Sequence, residues 1–329
     1  MSRRYANDWR PGTDLETLRA RAAMWAEVRG FFAERGVMEV DTPLLGASFG
    51  TDPSIEALSC RFTGPGYPQG KELFLQSSPE FFMKRLLAAG SGPIYQLCKA
   101  FRNGEAGRRH NPEFSILEWY RPGFSAGQLM DELGELIRRL IGDAALPVAR
   151  RSYQSLFLEH LGIDPLEASI ETLREFAQTQ NLLVSDSPSM DREDWLNLLM
   201  VSFIEPELGR EGLCFVVDYP AAQASLARLN PHDERTAARF ELYWKGVELA
   251  NGFEELTDAD EQSERFEREN CLRFSGGQRP MPVDDALLAA LESGMPPCAG
   301  VAVGLDRILM CQLGFEDIDR VQPFSLARL

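Results

Sequence analysis

The chain has 329 residues, of which 44% are hydrophobic and 10% aromatic, and its formal net charge is −16. This composition supplies a large hydrophobic core and excludes global disorder, while the apolar runs fall short of the roughly 18 residues that a membrane-spanning helix needs. The acidic balance argues against a protein that wraps a large nucleic acid, because such binding depends on Lys and Arg neutralising phosphates.

The six cysteines are scattered, with no CxxC pair and no His at metal-ligand spacing. That usage is typical of reduced thiols and predicts a cytoplasmic protein. The first 16 residues carry basic side chains without an apolar stretch behind them, so we expect no secretory signal there.

The first predicted element is a helix over residues 15–35. Thr13 and Glu16 have the spacing of a capping box at its start, and Gly36 stands where a C-terminal cap belongs. A strand over residues 37–42 follows and ends at a proline. The buried face of the helix is predicted from the apolar residues at helical spacing, which are Leu15, Leu18, Ala22, Trp25 and Phe32.

A second helix is predicted to begin at Ser78-Pro79-Glu80 and to stop at Gly90. Serine suits the N-cap, proline the first helical position and an acidic side chain the first turn. The sequence therefore predicts a well-defined helix start at a polar segment.

Two strands follow, over residues 94–101 and 113–120, and a polar loop over residues 102–111 joins them. Side chains alternate between the two faces of a strand. Glu118 and Tyr120 are therefore predicted to lie on the same face of the second strand.

Residues 125–233 are predicted to be mostly helical, with polar connectors and no recognisable chemistry. We interpret them as a helical insertion in a single domain over residues 1–329, because no internal repeat and no Gly-, Pro- or Ser-rich linker divides the chain. The remaining predicted elements are a hairpin over 240–251, a helix over 259–274, and a small-residue strand that leads into a short helix over 299–314.

The hairpin presents two carboxylates. Its two-residue turn is predicted at Lys245-Gly246, which makes Tyr243 the partner of Glu248. Glu241 then lies diagonally across from Glu248 on the same face, about 7–8 Å away. Two carboxylates this close repel each other unless a cation lies between them. The pair is either a Mg²⁺ site, since hard cations take carboxylate oxygens, or two solvated glutamates on an exposed strand face.

Several segments resemble motifs of the class II aminoacyl-tRNA synthetases, in particular of the lysyl branch. GVMEVDTPLL (36–45) resembles motif 1, FRNGEAGRRHNPEFSILEWY (101–120) resembles motif 2, and GVAVGLDRILM (300–310) resembles motif 3, while ELANGF (248–253) is similar to a lysyl segment between motifs 2 and 3. The resemblance implies an α+β fold, in which an antiparallel β-sheet is flanked by helices and a helical insertion separates motifs 2 and 3. It also implies a homodimer formed through motif 1.

The resemblance implies that ATP binds with Mg²⁺ on Glu241 and Glu248. Arg102 and Arg307 match the two catalytic arginines, of which the first bridges the amino-acid carboxylate and the α-phosphate, and the second stacks on adenine and meets the phosphates. A planar guanidinium suits both tasks. One departure is glycine in place of the usual motif 2 glutamate two residues after the first arginine, with Glu105 next in line. The positions that match ATP contacts are Arg102, Asn103, Gly104, Glu105, His110, Asn111, Phe114, Glu248, Leu249, Gly304 and Arg307.

The resemblance also implies a lysine pocket. Glu118, Tyr120 and Glu255 would surround an ammonium group with acidic and aromatic side chains, and Glu80 would contact the other amino group. Ala302 stands where lysyl-tRNA synthetases usually carry glycine, and one extra methyl group in a tight pocket changes which isomer fits. The positions that match lysine contacts are Ser78, Pro79, Glu80, Glu118, Tyr120, Asn251, Glu255 and Ala302.

Motif 1 coincides with the first helix, so we expect no anticodon-binding domain and no stable tRNA binding. In this respect and in Ala302 the chain resembles lysyl-tRNA synthetase paralogues that modify translation elongation factor P. The resemblance implies that lysine, with (R)-β-lysine favoured, is activated as an aminoacyl-adenylate and joined by an amide bond to a lysine ε-amino group of elongation factor P.

Three alternatives stay open. The first is tRNA charging with a partner that reads the anticodon. The second is an ammonia-dependent asparagine synthetase, against which Glu118 and Glu255 argue because its substrate side chain needs basic partners. The third is a non-enzymatic, synthetase-like amino-acid sensor, for which Gly104 is the only support.

Overall fold

A computed structural model describes residues 9–182 and 190–329. Residues 1–8 of the segment expected to carry no secretory signal, and residues 183–189 of the predicted helical insertion, lie outside the described residues. The α-helices are α1 (Leu15–Glu34), α2 (Glu80–Ala88), α3 (Ala126–Ile141), α4 (Tyr153–Leu161), α5 (Ile170–Thr179), α6 (Arg192–Leu199), α7 (Ala259–Ser275), α8 (Asp285–Glu292) and α9 (Leu305–Leu313). The strands are β1 (Met38–Glu39), β2 (Leu45–Gly46), β3 (Leu58–Gly64), β4 (Tyr67–Leu75), β5 (Ile94–Phe101), β6 (Glu113–Pro122), β7 (Val148–Ser152), β8 (Leu213–Pro220), β9 (Leu229–Asn230), β10 (Asp233–Trp244), β11 (Val247–Glu254) and β12 (Cys298–Gly304).

The chain divides into two compact units. The first unit comprises Met1–Gly123, Thr257–Pro297 and Ala302–Leu329, and the second comprises Phe124–Leu256 and Cys298–Val301. All six cysteines are free thiols. Among the described residues, no helix combines the length and apolar character that crossing a membrane requires.

The first unit contains a sheet with the strand order β1, β5, β6 and β12. β1 runs parallel to β5, whereas β5 and β6 pair antiparallel, from Ile94 opposite Tyr120 to Phe101 opposite Glu113. The predicted strands before and after the motif 2 loop are therefore confirmed. The strand predicted after the first helix is shortened to the two residues of β1.

The first helix is confirmed, but its cap and its buried face differ from the prediction. The N-cap is Asp14, whose carboxylate accepts a hydrogen bond of 2.8 Å from the Thr17 backbone N–H, and this bond lowers the pKa of Asp14. Thr13 is itself buried and does not form the predicted capping box. Gly36, with φ +63°, closes the helix as predicted. The residues that α1 buries are Thr17, Met24, Val28, Phe31 and Phe32.

Packing against the sheet selects this face of α1. The ring of Phe32 stacks on that of Tyr95, with centroids 4.4 Å apart, and meets the edge of Trp119 at 5.3 Å. Leu15, at the start of the predicted face, is instead exposed. Spacing alone did not distinguish two apolar stripes that differ by a small rotation about the helix axis.

The second helix begins as the sequence predicts, within one residue. The Ser78 hydroxyl accepts a 3.0 Å hydrogen bond from the Glu80 backbone N–H, so Ser78 satisfies one of the free donors of the first turn. α2 ends before Gly90, which has φ +84°.

A small three-stranded sheet, with the order β2, β4 and β3, also belongs to the first unit and was not predicted. The hairpin between β3 and β4 turns at Gly66, which has φ +82°, within the segment Gly-Pro-Gly-Tyr-Pro. This cluster of turn residues was the available signal.

The second unit contains a sheet with the strand order β12, β11, β10, β8 and β7, and β9 pairs with β10. Helices α3 to α6 agree with the predicted helical character of residues 125–233, but β7, β8 and β9 in the same stretch were missed. β8 begins with the apolar run LCFVV. A short continuous apolar run does not reveal by its periodicity whether it forms a strand or a buried helix.

The hairpin of β10 and β11 is confirmed, including its turn. Lys245 and Gly246 have φ values of +53° and +69°, which suits a type I′ turn, and Tyr243 lies opposite Glu248. A bulge beyond this pair then places Glu241 opposite Asn251. The ladder is therefore not regular as predicted, but Glu241 still lies two residues from Tyr243, the partner of Glu248, so the register agrees with the predicted placement of the two glutamates on one face.

Candidate active site

The motif 2 arginine stands at the start of the loop that joins β5 to β6. The guanidinium carbon of Arg102 lies 5.1 Å from the centroid of the Phe114 ring, and Nη1 lies 3.5 Å from a carboxylate oxygen of Glu105. Gly104 has φ +80°, a conformation that costs a residue with a side chain about 1–2 kcal/mol. The loop conformation therefore suits glycine at position 104, and the carboxylate next to the arginine comes from Glu105.

The motif 3 arginine contacts the same loop. Arg307, in the first turn of α9, places Nη2 2.7 Å from Nε2 of His110 and Nε 3.4 Å from the carbonyl oxygen of Arg109. His110 and Gly107 exchange backbone hydrogen bonds of 3.0 and 3.2 Å, which close the tip of the loop. Arg307 and His110 are 197 positions apart in sequence, so this contact joins two distant segments of the chain.

A buried carboxylate lies on β6. Glu118 is 1% exposed, and its two oxygens accept hydrogen bonds of 2.7 Å from the Ser78 hydroxyl and 2.6 Å from the Tyr120 hydroxyl. The predicted placement of Glu118 and Tyr120 on one face is confirmed. Burying a carboxylate is costly unless partners compensate it, and the two hydroxyl donors supply part of that compensation.

The sequence analysis missed a buried lysine in α2. Lys84 is 1% exposed in its side chain, and its Nζ lies 2.7 Å from a carboxylate oxygen of Glu80. The two residues are four positions apart in α2, and this spacing was the signal that could have identified the pair. Glu80, which matches a substrate contact, therefore already has a cationic partner.

A second carboxylate network lies in the second unit. Glu241 accepts hydrogen bonds of 2.5 Å from Arg239 and from the Tyr219 hydroxyl, and one of 2.6 Å from the Tyr243 hydroxyl. Burial, followed by the charge of Glu241, raises the pKa of both tyrosines well above 10. Both hydroxyls therefore remain protonated donors at neutral pH. Because Glu241 is only 8% exposed, it is not one of two solvated glutamates.

The donor chemistry of this network fits Mg²⁺. Tyr243 shares a face with Glu241 and lies opposite Glu248, so two carboxylates belong to one face of the hairpin. Although burial lowers the pKa of Arg239, the charge of Glu241 and, to a smaller extent, that of Glu248 raise it above its usual value. In the described part of the chain, no three His, Cys, Asp or Glu side chains gather around one point. Two carboxylates suit a Mg²⁺ ion that keeps water and phosphate oxygens as its other ligands.

Other predicted residues of the second unit lie along the hairpin and just beyond it. Asn251 accepts a 3.3 Å hydrogen bond from Arg239 Nε. Leu249 is buried at the bulge, and Glu255 is 3% exposed, with its backbone N–H bonded to the carbonyl oxygen of Cys298 at 3.0 Å.

The motif 2 asparagines hold the loop through the backbone. Asn103 donates its N–H to the carbonyl oxygen of Glu56 at 2.9 Å. Asn111 donates from Nδ2 to the carbonyl oxygen of Glu113 at 2.6 Å and accepts at Oδ1 from the Leu326 N–H at 3.0 Å. These bonds support the loop between β5 and β6 from two sides.

The remaining predicted residues lie beside or within regular elements. Pro79 precedes α2, Ala302 lies in β12, and Gly304 is the N-cap of α9. Asp306 lies in the first turn of α9 but does not cap that helix. Its carboxylate is buried and bonds instead to other segments of the first unit.

An antiparallel sheet with an arginine-bearing loop and a second arginine at a helix start is the arrangement of a class II synthetase catalytic core. The chain belongs to the family of class II tRNA synthetases (D, K and N), whose family model matches residues 1–328. The predicted α+β fold class and the resemblance to this family are thereby confirmed.

Similar curated proteins have nearly the same length. The chain is 50% identical over 322 residues to the elongation factor P–(R)-β-lysine ligase of Vibrio vulnificus (strain YJ016), an alignment that covers 97% of this chain and 99% of the relative. It is 48% identical to the ligase of the same name from Klebsiella pneumoniae (strain 342), with 97% and 98% covered. It is 50% identical to that of Pseudoalteromonas translucida (strain TAC 125), with 98% and 99% covered.

Proposed function

We propose that this protein is an ATP-dependent ligase that activates (R)-β-lysine as an aminoacyl-adenylate and transfers it to a lysine ε-amino group of translation elongation factor P. The observation that carries the proposal is 50% identity over 97% of the chain to a protein named for that reaction. The site agrees chemically, because it combines two arginines suited to phosphates with buried carboxylates suited to an ammonium group.

In the first step, the carboxylate of the amino acid attacks the α-phosphorus of ATP, a P–O bond forms, and pyrophosphate leaves. Arg102 neutralises charge on the carboxylate and the α-phosphate, and Arg307 holds the nucleotide. Their contacts with Glu105 and His110 orient both guanidinium groups before ATP arrives. Positioning and preorganised electrostatics accelerate such a transfer without a covalent enzyme intermediate.

Glu118 binds an ammonium group of the amino acid. Its two hydroxyl partners fix the direction of the carboxylate, and a charge-assisted hydrogen bond to a buried carboxylate is stronger than one between neutral groups. This argues against an asparagine synthetase, because an aspartate side chain would meet a like charge. By resemblance, Ser78, Pro79, Glu80, Tyr120, Asn251, Glu255 and Ala302 also contact the amino acid.

Glu241 and Glu248 would hold Mg²⁺. The ion, when bound, neutralises charge on the phosphates of ATP. Within the chain itself, Arg239 and the two protonated tyrosines keep Glu241 in a fixed orientation. By resemblance, Asn103, Gly104, His110, Asn111, Phe114, Leu249 and Gly304 contact the nucleotide.

In the second step, the acceptor amine attacks the carbonyl carbon of the adenylate, an amide bond forms, and AMP leaves with the electron pair of the broken C–O bond. We further propose that the protein is a cytoplasmic homodimer and works as one catalytic domain in which residues 125–233 form an insertion. It does not bind tRNA stably, in accord with its net charge of −16.

The test is ATP–pyrophosphate exchange with (R)-β-lysine, α-lysine and aspartate as separate substrates, followed by mass spectrometry of elongation factor P. We expect exchange with the lysine isomers, strongest with (R)-β-lysine, and a mass increase on a single acceptor lysine. Charged tRNA without acceptor modification would instead identify a tRNA-charging enzyme. Absence of exchange with all three amino acids would favour a sensor.

A further inference from the structure

A buried ionic cluster in the first unit lies directly beside Arg307. We define the Asp306 cluster as Arg21 of α1, Ser115 of β6, Asp306 of α9 and Gln322 near the C-terminus. Asp306 Oδ1 accepts a 2.5 Å hydrogen bond from Arg21 Nη1. Its Oδ2 accepts bonds of 2.8 Å from the Ser115 backbone N–H and 3.0 Å from Gln322 Nε2.

Arg21 connects three of these segments at once. Besides Asp306, its Nη2 donates to the Ser115 hydroxyl at 2.6 Å, and its Nη1 is 3.2 Å from the carbonyl oxygen of Val321. Its guanidinium carbon lies 4.3 Å from the centroid of the Trp25 ring, which further restricts its rotation. A planar group with several N–H donors makes such a set of contacts, whereas a lysine has only a single nitrogen to offer.

Burial strengthens the hydrogen bonds of the Asp306 cluster. The side chains of Arg21 and Asp306 are 15% and 2% exposed. Where water is excluded, charged hydrogen bonds are stronger and their loss is more costly than at the surface. The first turn of α9 is therefore anchored through Asp306 to the strand that carries motif 2 and to α1.

The neighbour of the anchored residue is the motif 3 arginine. Arg307 follows Asp306 directly and reaches His110 at 2.7 Å, while Ser115 follows Phe114, whose ring faces Arg102. One buried carboxylate thus fixes the relative position of the two segments that carry both proposed ATP-binding arginines.

We propose that Asp306, held by Arg21, is a positioning residue that sets Arg307 against the motif 2 loop and thereby determines the affinity for ATP. This inference rests on the proposed function. It assigns to Arg21, which resemblance had given no role, an indirect part in nucleotide binding.

The experiment measures ATP binding by isothermal titration calorimetry, without amino acid or acceptor, for the wild type, Asp306→Asn, Arg21→Lys and the double variant. We expect Asp306→Asn to weaken ATP binding by about 10- to 100-fold, which is the order of the loss when one hydrogen bond to a charged group is misplaced. Arg21→Lys should weaken it less. The double variant should bind ATP no more weakly than Asp306→Asn does, because both substitutions disrupt the same ion pair between Arg21 and Asp306.

The control is Arg29→Met, which removes another arginine of α1. Arg29 forms a bidentate, exposed pair with Glu39, at 3.0 and 3.1 Å, and its loss should leave ATP binding within twofold of the wild type. Unchanged ATP affinity in a folded Asp306→Asn variant would overturn the proposal and leave the cluster a purely structural role. If that variant does not fold, an unchanged affinity in Arg21→Lys has the same meaning. A wild type that does not bind ATP would refute the proposed function itself.

Discussion

Replacing Glu118 by glutamine tests the ammonium site with little change in shape. The carboxylate is 1% exposed and accepts two hydroxyl donors, from Ser78 at 2.7 Å and from Tyr120 at 2.6 Å. Glutamine keeps one acceptor oxygen, and both hydroxyls can rotate to accept from its NH₂ group. The cost to folding should therefore stay near the ~1 kcal/mol of one neutral hydrogen bond.

The cost to substrate binding should be larger, because the charge is lost. A hydrogen bond to a charged group contributes about 1.5–3 kcal/mol, which corresponds to about 10- to 150-fold in an equilibrium constant. We expect the KM for (R)-β-lysine to rise by this factor in ATP–pyrophosphate exchange. The KM for ATP should remain within about twofold, because the nucleotide does not contact Glu118 in the proposed arrangement.

Ser78→Ala is the matched control for this substitution. It removes one of the two donors to Glu118 and one bond to the first turn of α2, but leaves the charge. We expect a several-fold smaller rise in the KM for lysine than with glutamine, together with a loss of about 1 kcal/mol in unfolding free energy. A Glu118→Gln enzyme whose lysine KM stays within threefold of the wild type would refute the assignment of the ammonium site.

Three further predictions concern stability, each measured by urea unfolding. Lys84→Met should cost about 3 kcal/mol, because it leaves the Glu80 carboxylate, of which only 14% is exposed, without its cationic partner. Arg150→Met, which removes an exposed ion pair, should change stability by less than about 1 kcal/mol, and equal effects of the two substitutions would contradict this contrast. Gly104→Ala should cost about 1–2 kcal/mol, because residue 104 has a φ of +80°. Gly107→Ala, in the same loop, should cost less, because residue 107 has no positive φ and an added Cβ would meet open space. A larger cost at position 107 than at position 104 would be inconsistent with the loop conformation. Burial raises the pKa of Glu269 from 4.5 to about 6, so the folded state holds this proton more tightly than the unfolded state, and the resulting stabilisation, complete below pH 4.5, is lost as the pH rises through 6. The free energy of unfolding of Glu269→Gln, measured relative to that of the wild type, should therefore increase by about 2 kcal/mol between pH 4.5 and pH 7.5. A difference between the two proteins that stays constant across that range would contradict the raised pKa.

Local signals in the sequence predicted much of the fold. The strands that flank the motif 2 loop, the turn at Lys245-Gly246 and the pairing of Tyr243 with Glu248 all agree with the structure. Each depends on residues close together in sequence, such as an alternating pattern or a two-residue turn. The motif residues were identified in the same way, since each motif is a short continuous segment.

Other features depended on contacts that no local pattern encodes. The bulge that places Glu241 opposite Asn251 changes a register which spacing alone takes as regular. The face that α1 buries follows from the rings of Tyr95 and Trp119 against which it packs. β8 was missed because burial removes the alternation that identifies an exposed strand.

The sequence by itself determined the family, the order of the motifs and the types of side chain to which we assign the chemistry, because these are properties of short segments. Only the tertiary structure decided which charges are neighbours. It joined Arg307 to His110, Asp306 to Arg21, and Glu118 to Ser78, with sequence separations of 197, 285 and 40 residues. The interaction of two charges depends on their distance in space and on the burial of both groups, and the folded chain sets both quantities.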